Sequence, residues 1–184
     1  MLSLKILNKI KKINYYYKKK KFSDYDSENI DWKKINYNRI SLINYIVSES
    51  PIKNLKYLEI GCAKNKLFDS VFLKNKIGID PEKGGNLKMT SDVFFEQNKI
   101  FFDIIMIDGL HTYQQVRKDF VNSLKFINKN GWIIFHDMYP RNYIEQKVPR
   151  SSSVWTGDVW KLAFELSEIS DFKTDHGLYS PGNC

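Results

Sequence analysis

Short apolar runs alternate with amphipathic stretches through the middle of the chain. A stripe of isoleucines at helical spacing predicts a helix from about Asp31 to Ser48, and Pro51 follows its end. Four runs rich in isoleucine and bounded by Gly or Asp are typical of buried parallel strands. They cover residues 57–60, 77–79, 102–107 and 132–135.

The stretch between the last two runs has apolar residues three and four positions apart. This pattern predicts a crossover helix, which Asn130-Gly131 would end. Strand, helix and strand in this order predict a three-layer α/β sheet. Because we find no repeat or internal linker, we expect one domain over residues 22–184, preceded by a basic tail or helix over residues 1–21. The apolar residues of the crossover helix are Tyr113, Val116, Phe120, Leu124 and Ile127.

Composition and charge restrict the function classes. The 184 residues are 42% hydrophobic, which suits one core, and the formal net charge is +8. Eight of the 29 basic residues precede the first acidic one, which leaves 21 bases against 21 acids in residues 22–184. A neutral body argues against a nucleic-acid-binding surface on the fold. Two cysteines cannot form a disulfide framework, which favours the cytoplasm.

The lysine-rich segment 1–21 allows two interpretations. It could form an amphipathic helix on the inner membrane surface, or it could be a solvated extension or a helix that packs on a partner subunit. No apolar run reaches the roughly 18 residues that a bilayer span needs.

The residues that follow the apolar runs carry the candidate chemistry, because ligands of open α/β sheets bind at the carboxyl ends of the strands. Gly61 follows one run, and Asp80 follows the next after about 20 residues, the spacing at which a carboxylate reaches the ribose of an adenosine ligand. Alternatively, Gly61 only permits a strand-to-helix turn. The strand-end residues are Glu59, Gly61, Cys62, Ala63, Asp80, Ser91, Asp92, Asp108, His111, His136 and Asp137.

Two familiar phosphate-binding patterns are absent. The chain has no G-x-x-x-x-G-K-[ST] loop, which argues against nucleoside triphosphate hydrolysis. Ala63 and Asn65 stand where a dinucleotide motif would have further glycines, although Asn tolerates a left-handed backbone. Glu59 lies in an otherwise apolar run, so we expect a cationic partner, such as the amino or sulfonium group of a ligand.

Six segments carry a resemblance to a known family. The chain resembles class I S-adenosylmethionine-dependent methyltransferases and, among them, the macrocin- and mycinamicin-type sugar O-methyltransferases. The resemblance implies a Rossmann-like fold with a seven-stranded, mostly parallel sheet, whose closing hairpin would fall in residues 172–184 and be short or incomplete. The segments are Tyr57–Ala63, Gly78–Asp80, Thr90–Phe95, Phe102–Tyr113, Gly131–Asp137 and Trp155–Trp160.

The same resemblance implies roles for the strand-end residues. Glu59, Gly61, Cys62 and Ala63 would border the methionine part of S-adenosylmethionine, and Asp80 would hold its ribose. Ser91 and Asp92 would lie beside the adenine, and Asp108 would contribute to the same pocket. Asp108, His136 and Asp137 would bind a divalent cation, Mg²⁺ or Mn²⁺, and His111, catalytic together with Asp108, would be the general base. His136 replaces an acidic residue of the relatives, and it could instead be a strand-end histidine that binds no metal.

Together these features predict an O-methyltransferase that acts on a hydroxyl of a sugar, glycan or small metabolite. The acceptor pocket would be built from loops such as 140–154, and the protein could self-associate. Two alternatives are a non-catalytic protein that keeps the cofactor pocket and a nucleic-acid methyltransferase that uses the lysine tail. Asp158 precedes a helical pattern, so its simplest role is an N-cap of that helix.

Overall fold

The computed structural model describes residues 38–167. They form two compact units, which we call the sheet unit (residues 38–110 and 114–136) and the loop-helix unit (residues 111–113 and 137–167). The basic segment 1–21, residues 31–37 of the predicted first helix and the predicted closing hairpin lie outside the described residues, and the rest of that predicted helix is confirmed by the helix Arg39–Glu49. In the described range, no helix is both long enough and apolar enough to cross a membrane.

The sheet unit contains four parallel strands in the order β2-β1-β3-β4. Glu59 of β1 pairs with Gly78 of β2 on one side and with Met106 of β3 on the other. The four predicted strands are therefore confirmed, and they are the strands found within residues 38–167. The strand bounds are β1, Tyr57–Ile60; β2, Lys76–Ile79; β3, Phe102–Ile107; and β4, Ile127–Phe135.

The strand order has a direct consequence for ligand binding. The chain builds outward from β1 to β2, then returns to the other side of β1 for β3 and β4. The order therefore reverses between β1 and β3, and the crevice at their carboxyl ends is the usual ligand position in such sheets.

Five helices accompany the strands in the described residues. Asn38 caps the first of them, because its side-chain oxygen accepts the backbone N–H groups of Ile40 and Ser41 at 3.0 and 3.1 Å. Thr90 caps the third in the same way. The helix bounds are α1, Arg39–Glu49; α2, Lys66–Ser70; α3, Ser91–Gln97; α4, Tyr113–Phe126; and α5, Trp160–Ser167.

Helices cover both faces of the sheet. On one face, Met106 belongs to a buried cluster with Ile43 of α1 and Leu67 of α2. On the other face, the ring of Phe120 in α4 lies 5.7 Å from the ring of Phe135 in β4. Side chains alternate along a strand, so these two sets lie on opposite sides. The predicted three-layer arrangement is confirmed in the sheet unit.

The end of the crossover helix was predicted incorrectly. The helix ends at Phe126, and Ile127 already pairs with Phe102 as the first residue of β4. Asn130 and Gly131 lie inside β4, where Asn130 adopts a positive φ of 63° and the register with β3 is irregular. Their turn-forming character is therefore accommodated by an irregularity in the strand rather than by a helix cap.

The prediction that Ser91 and Asp92 follow a strand is also wrong. These two residues begin α3, immediately after Thr90, whose side chain accepts the Val93 N–H. The polar sequence Thr-Ser-Asp indicates a helix start, and the short apolar run before it contributes only an isolated bridge between Ile79 and Leu87.

Candidate functional site

The turn after β1 brings the carboxyl ends of β1 and β3 into close contact. Gly61 has a φ of +87°, and a Cβ at this position would overlap the backbone carbonyl oxygen of Asp108. Ala63 and Asn65 also have left-handed backbones, with φ of 46° and 63°. The tolerance of Asn for this conformation is therefore used, and Gly61 does more than allow a turn, because its missing side chain lets the two strand ends meet.

Asp80 links this turn to the loop after β2. Its Oδ2 accepts the Ala63 N–H at 2.9 Å, and its Oδ1 accepts the Glu82 and Lys83 N–H groups at 2.9 and 2.8 Å. Burial opposes ionisation, but the backbone donors outweigh it and lower the pKa of Asp80. An ionised carboxylate thus lies at the end of β2, as the ribose-binding prediction requires.

Glu59 is only 1% exposed and has a partner within its own strand. The hydroxyl of Tyr57, two residues earlier on the same face, donates to Glu59 Oε2 at 2.7 Å. Burial raises the pKa of Glu59 to about 7. Its hydrogen-bond partner in this structure is a neutral hydroxyl, and the spacing of Tyr57 and Glu59 is a signal that sequence reasoning missed. The cationic ligand group expected beside Glu59 stays a prediction.

Cys62 is buried beside Glu59. Its Sγ lies 3.7 Å from the backbone carbonyl of Glu59, and burial raises the pKa of the thiol. Its position is packed against the sheet, since Sγ would lie within 2.7 Å of a Cβ placed on Gly78. In this structure the Cys62 side chain belongs to the core, and its backbone belongs to the turn after β1.

Ser91 and Asp92 form a polar network with α4. Gln115 Nε2 lies 3.2 Å from Ser91 Oγ, 3.3 Å from Asp92 Oδ1 and 3.0 Å from Asp119 Oδ1. Lys118 Nζ lies 2.6 Å from Asp92 Oδ2, and this contact lowers the pKa of Asp92. Burial raises the pKa of Asp119 to about 6. Asp119 and Gln115 were not singled out from the sequence, because they lie within a helix rather than at a strand end.

Asp108, at the end of β3, is enclosed by two side chains from distant parts of the sheet unit. Arg39 Nη1 donates to Asp108 Oδ2 at 2.6 Å, and His136 Nδ1 lies 3.0 Å from Asp108 Oδ1. Arg39 Nη1 is also 3.1 Å from His136 Nε2. Since a guanidinium only donates, Nε2 must accept, and the proton is then on Nδ1. The contact of Nδ1 with Asp108 Oδ1 is close but does not have the geometry of a hydrogen bond. The three side chains close a ring of polar contacts.

Two of the three predicted metal ligands, Asp108 and His136, belong to this ring, whereas the third, Asp137, contacts His111. Both carboxylate oxygens of Asp108 and both ring nitrogens of His136 face a partner within the ring. The position between Asp108 Oδ2 and His136 Nε2 is taken by a guanidinium nitrogen, which already carries positive charge. A metal ion at this position would therefore have to replace the guanidinium.

Arg39 is the residue of this site that the sequence reasoning missed. One signal could have found it. Arg39 is the first residue of α1, and a cation there is unfavourable because it faces the positive end of the helix dipole. A basic residue directly after a good N-cap such as Asn38 therefore indicates a carboxylate partner elsewhere in the fold.

In the loop-helix unit, His111 is held by three contacts. Its Nδ1 lies 3.4 Å from Asp137 Oδ2 and 3.3 Å from the carbonyl oxygen of Trp155. The His111 and Trp155 rings stack with 5.5 Å between their centroids. A Cβ on Gly157 would overlap the His111 carbonyl oxygen, so the segment 155–157 packs closely on this residue. The histidine is thus fixed in orientation.

The predicted role of Asp158 as N-cap of the following helix is wrong. Its Oδ1 accepts the backbone N–H of Tyr113, the first residue of α4, at 2.7 Å. Its Oδ2 pairs with Lys161 Nζ at 2.8 Å. Asp158 therefore caps a helix start 45 residues earlier in the chain, next to His111, and such a distant cap cannot be read from local sequence.

The loop-helix unit also contains a cleft of about 470 Å³. Residues 143–151 form much of its wall, within the loop segment 140–154 that was predicted to bind the acceptor. Its lining mixes aromatic, aliphatic, amide, hydroxyl and charged side chains: Tyr143, Gln146, Lys147, Val148, Pro149, Ser151, Asp158 and Lys161.

Comparison with known proteins points to one class of enzyme. An uncharacterized protein of Acanthamoeba polyphaga mimivirus is 28% identical to this chain in a match that covers 55% of this chain and 59% of the viral protein. This chain thus spans about 59% of the length of that relative. A family model described as a methyltransferase domain matches residues 84–138, a range that includes Asp92, Asp108, His111 and His136. This part of the chain is therefore similar to a methyltransferase domain.

Proposed function

We propose that this protein is an S-adenosylmethionine-dependent O-methyltransferase that acts on a hydroxyl of a sugar, glycan or small metabolite. The observation that carries the proposal is the reversal of strand order between β1 and β3, where ligands of such sheets bind. There the Gly61 turn and Asp108 meet, and Asp80 is fixed at the end of β2. The match to a methyltransferase domain supports the same reaction class.

The residues present suit the cofactor. A fixed, ionised carboxylate at Asp80 is suited to accept ribose hydroxyls, and Gly61 adds no side chain where the ends of β1 and β3 meet. The bound cofactor would supply an electrophilic methyl group and its own leaving group. The chain then has to bind it through the β1 turn, Asp80 and the start of α3, and to orient an acceptor hydroxyl.

His111 is the proposed general base. When its Nδ1 carries a proton toward Asp137 and the Trp155 carbonyl, Nε2 is the nitrogen that can accept the proton of a hydroxyl. The stacked Trp155 ring limits rotation of the imidazole. Asp137 acts as a positioning residue in this scheme, because it favours one tautomer.

The acceptor is proposed to bind in the cleft of the loop-helix unit. Tyr143 offers an aromatic face, and Gln146, Ser151 and the two lysines offer hydrogen bonds, a combination that suits a polyhydroxylated molecule. Membrane contact through residues 1–21 and self-association stay predictions from the sequence.

Calorimetric titration with S-adenosylmethionine and with its demethylated product tests the cofactor site. Wild-type protein is expected to bind both, and Asp80→Ala is expected to weaken binding at least about tenfold through loss of the ribose contacts. Asp69→Ala, which changes an exposed acid of α2, is the matched control and should bind as wild type does. Absence of binding to the wild-type protein would contradict the proposal.

A screen of hydroxylated acceptors, read out as demethylated cofactor, tests turnover. His111→Gln is expected to lower turnover at least about 100-fold while cofactor affinity stays unchanged. Cofactor binding without turnover on any acceptor would favour the alternative of a non-catalytic binding protein. The closed contacts around Asp108 are the observation that keeps this alternative open.

A further inference from the structure

We infer that Arg39 is the resident cation of the Asp108–His136 pair, so that this pair works with a guanidinium and without a divalent metal. The inference deepens the proposed function, because it replaces the metal assistance that the family resemblance implies. It rests on contacts within the sheet unit.

Each atom that could ligate a metal on these two side chains lies within 3.1 Å of another polar atom of the ring. Arg39 Nη1 bridges Asp108 Oδ2 at 2.6 Å and His136 Nε2 at 3.1 Å, the two atoms that point toward the guanidinium. The other two atoms, Asp108 Oδ1 and His136 Nδ1, face each other at 3.0 Å. A metal ion bound between Asp108 Oδ2 and His136 Nε2 would have to displace Arg39 from both contacts.

Burial strengthens the arrangement. The Arg39 and Asp108 side chains are 16% and 13% exposed, and that of His136 is 11% exposed. Charges this well removed from water are weakly screened, so the guanidinium stabilises the carboxylate and repels a second cation that approaches it. Arginine keeps its charge at every physiological pH, which makes it a permanent occupant.

The fold also fixes where Arg39 stands. It is the first residue of α1, directly after the capping residue Asn38, and Ile43 one turn later is fully buried in the core of the sheet unit. The base of the Arg39 side chain is thus held by a packed helix. This placement distinguishes a built-in cation from a surface arginine that happens to lie near an acid.

The chemical consequence concerns how the acceptor hydroxyl is activated. A guanidinium donates hydrogen bonds and stabilises negative charge, but it does not bind an oxygen directly as a Lewis acid does. Proton removal would then depend on a base, with Arg39 contributing charge and the orientation of Asp108. Turnover is accordingly expected to be unchanged by a chelator.

Titration with Mn²⁺ alone tests the inference without cofactor or acceptor. The free ion is monitored by electron paramagnetic resonance. Wild-type protein is expected to show no Mn²⁺ site that depends on Asp108. Arg39→Met removes the guanidinium at similar length and is expected to create such a site, with at least tenfold tighter Mn²⁺ binding. Asp108→Asn in the Arg39→Met background should abolish the gain. Arg117→Met, at an exposed position of α4, is the matched control and should behave as wild type does.

Two results would overturn the inference. One is a wild-type Mn²⁺ site that is lost in Asp108→Asn, and the other is no gain of binding in a folded Arg39→Met protein. If Arg39→Met does not fold, Arg39→Lys provides the test, because a lysine keeps the charge but loses the planar bridge. We then expect intermediate Mn²⁺ affinity, and affinity equal to wild type would count against the bridge. These readouts do not involve S-adenosylmethionine, so a failure of the proposed function would be seen separately.

Discussion

Asp80 and Asp108 both follow a strand at the same edge of the parallel sheet, yet the chain satisfies them in different ways. The oxygens of Asp80 accept backbone N–H groups from its own loop and from the neighbouring β1 turn. The oxygens of Asp108 face the side chains of Arg39 and His136, which lie 69 residues before it and 28 residues after it. The Asp80 carboxylate is thus held by backbone N–H groups, and the Asp108 carboxylate by side chains from distant parts of the sequence.

The difference teaches how the two positions respond to change. Backbone donors cannot be removed by substitution, so the Asp80 loop keeps its shape as long as a carboxylate is present. The ring of polar contacts around Asp108 depends on three side chains, and removing one of them leaves a buried charge or polar group without its partner. Substitutions at Asp108 should therefore be more costly than substitutions at Asp80.

The largest effect is expected for Asp108→Ala. It leaves the Arg39 guanidinium buried without a carboxylate, and breaking such a pair costs about 4 kcal/mol of unfolding free energy. Urea denaturation measures this loss. The double variant Arg39→Met/Asp108→Ala should recover part of it, because the uncompensated charge is then gone. Equal stability of wild type and Asp108→Ala would show that the ring contributes nothing to the fold.

Gly61→Ala should cost about 3 kcal/mol, because the new Cβ would overlap the Asp108 carbonyl in a left-handed backbone conformation. Gly109→Ala is the matched control. Its Cβ would approach Ile60 Cγ2 at 3.3 Å, which a small shift relieves. Thermal unfolding measures the melting temperatures of the two variants, one changed in the turn after β1 and the other at the residue after Asp108. Similar melting temperatures would contradict the close contact of the strand ends.

Glu59 adds a third strand-end carboxylate, held by a neighbour in its own strand. Its pKa of about 7 in the folded protein exceeds its ordinary value of 4.5, so the folded state binds the extra proton. The contribution of Glu59 to the free energy of unfolding is largest below pH 4.5 and decreases as the pH rises from 4.5 through 7. The decrease is at most about 1.4 kcal/mol per pH unit. Glu59→Gln should remove this slope. Denaturation at about pH 5, 6 and 7 measures it, and parallel curves for both proteins would contradict a raised pKa.

Asp80→Ala should have the smallest effect on stability, about 1 to 2 kcal/mol, since its backbone donors can turn to water. Denaturation of Asp80→Ala beside Asp108→Ala measures the two strand-end carboxylates under the same conditions. A larger loss of stability at Asp80 than at Asp108 would reverse their expected order and show that backbone donors, rather than the side-chain ring, dominate this edge of the sheet.

Much of the fold could be predicted from local pattern. The bounds of β1 and β3 follow directly from their apolar runs, and the left-handed turn at Gly61 follows from its place after a strand. The predictions failed where a local signal had a different structural outcome. Asn130-Gly131 resembles a helix end but lies inside β4, and Asp158 resembles a local cap but caps Tyr113.

The positions of the strand-end carboxylates could be predicted from the sequence, but Arg39 and the side-chain pairings could not. Strand ends bring Asp80 and Asp108 to one edge of the sheet, which sequence order alone implies. The partners of Asp108 could not be derived in the same way, because Arg39 reaches it from a helix that precedes the whole sheet. The contact of Arg39 with Asp108 depends on how α1 packs on the sheet. A hydrophobic pattern predicts which face of a helix is buried, but it does not predict which polar side chain the first turn of that helix will contact.

The absence of a side chain at Gly78 has a consequence for the reactivity of the neighbouring sulfur. The space that a Cβ would take is filled by Cys62 Sγ and the Phe68 ring, so the thiol is enclosed by β2 and α2. An alkylating reagent can reach this sulfur only after that corner of the sheet opens. The rate at which Cys62 is labelled would thus measure how often the structure opens locally beside the proposed cofactor site.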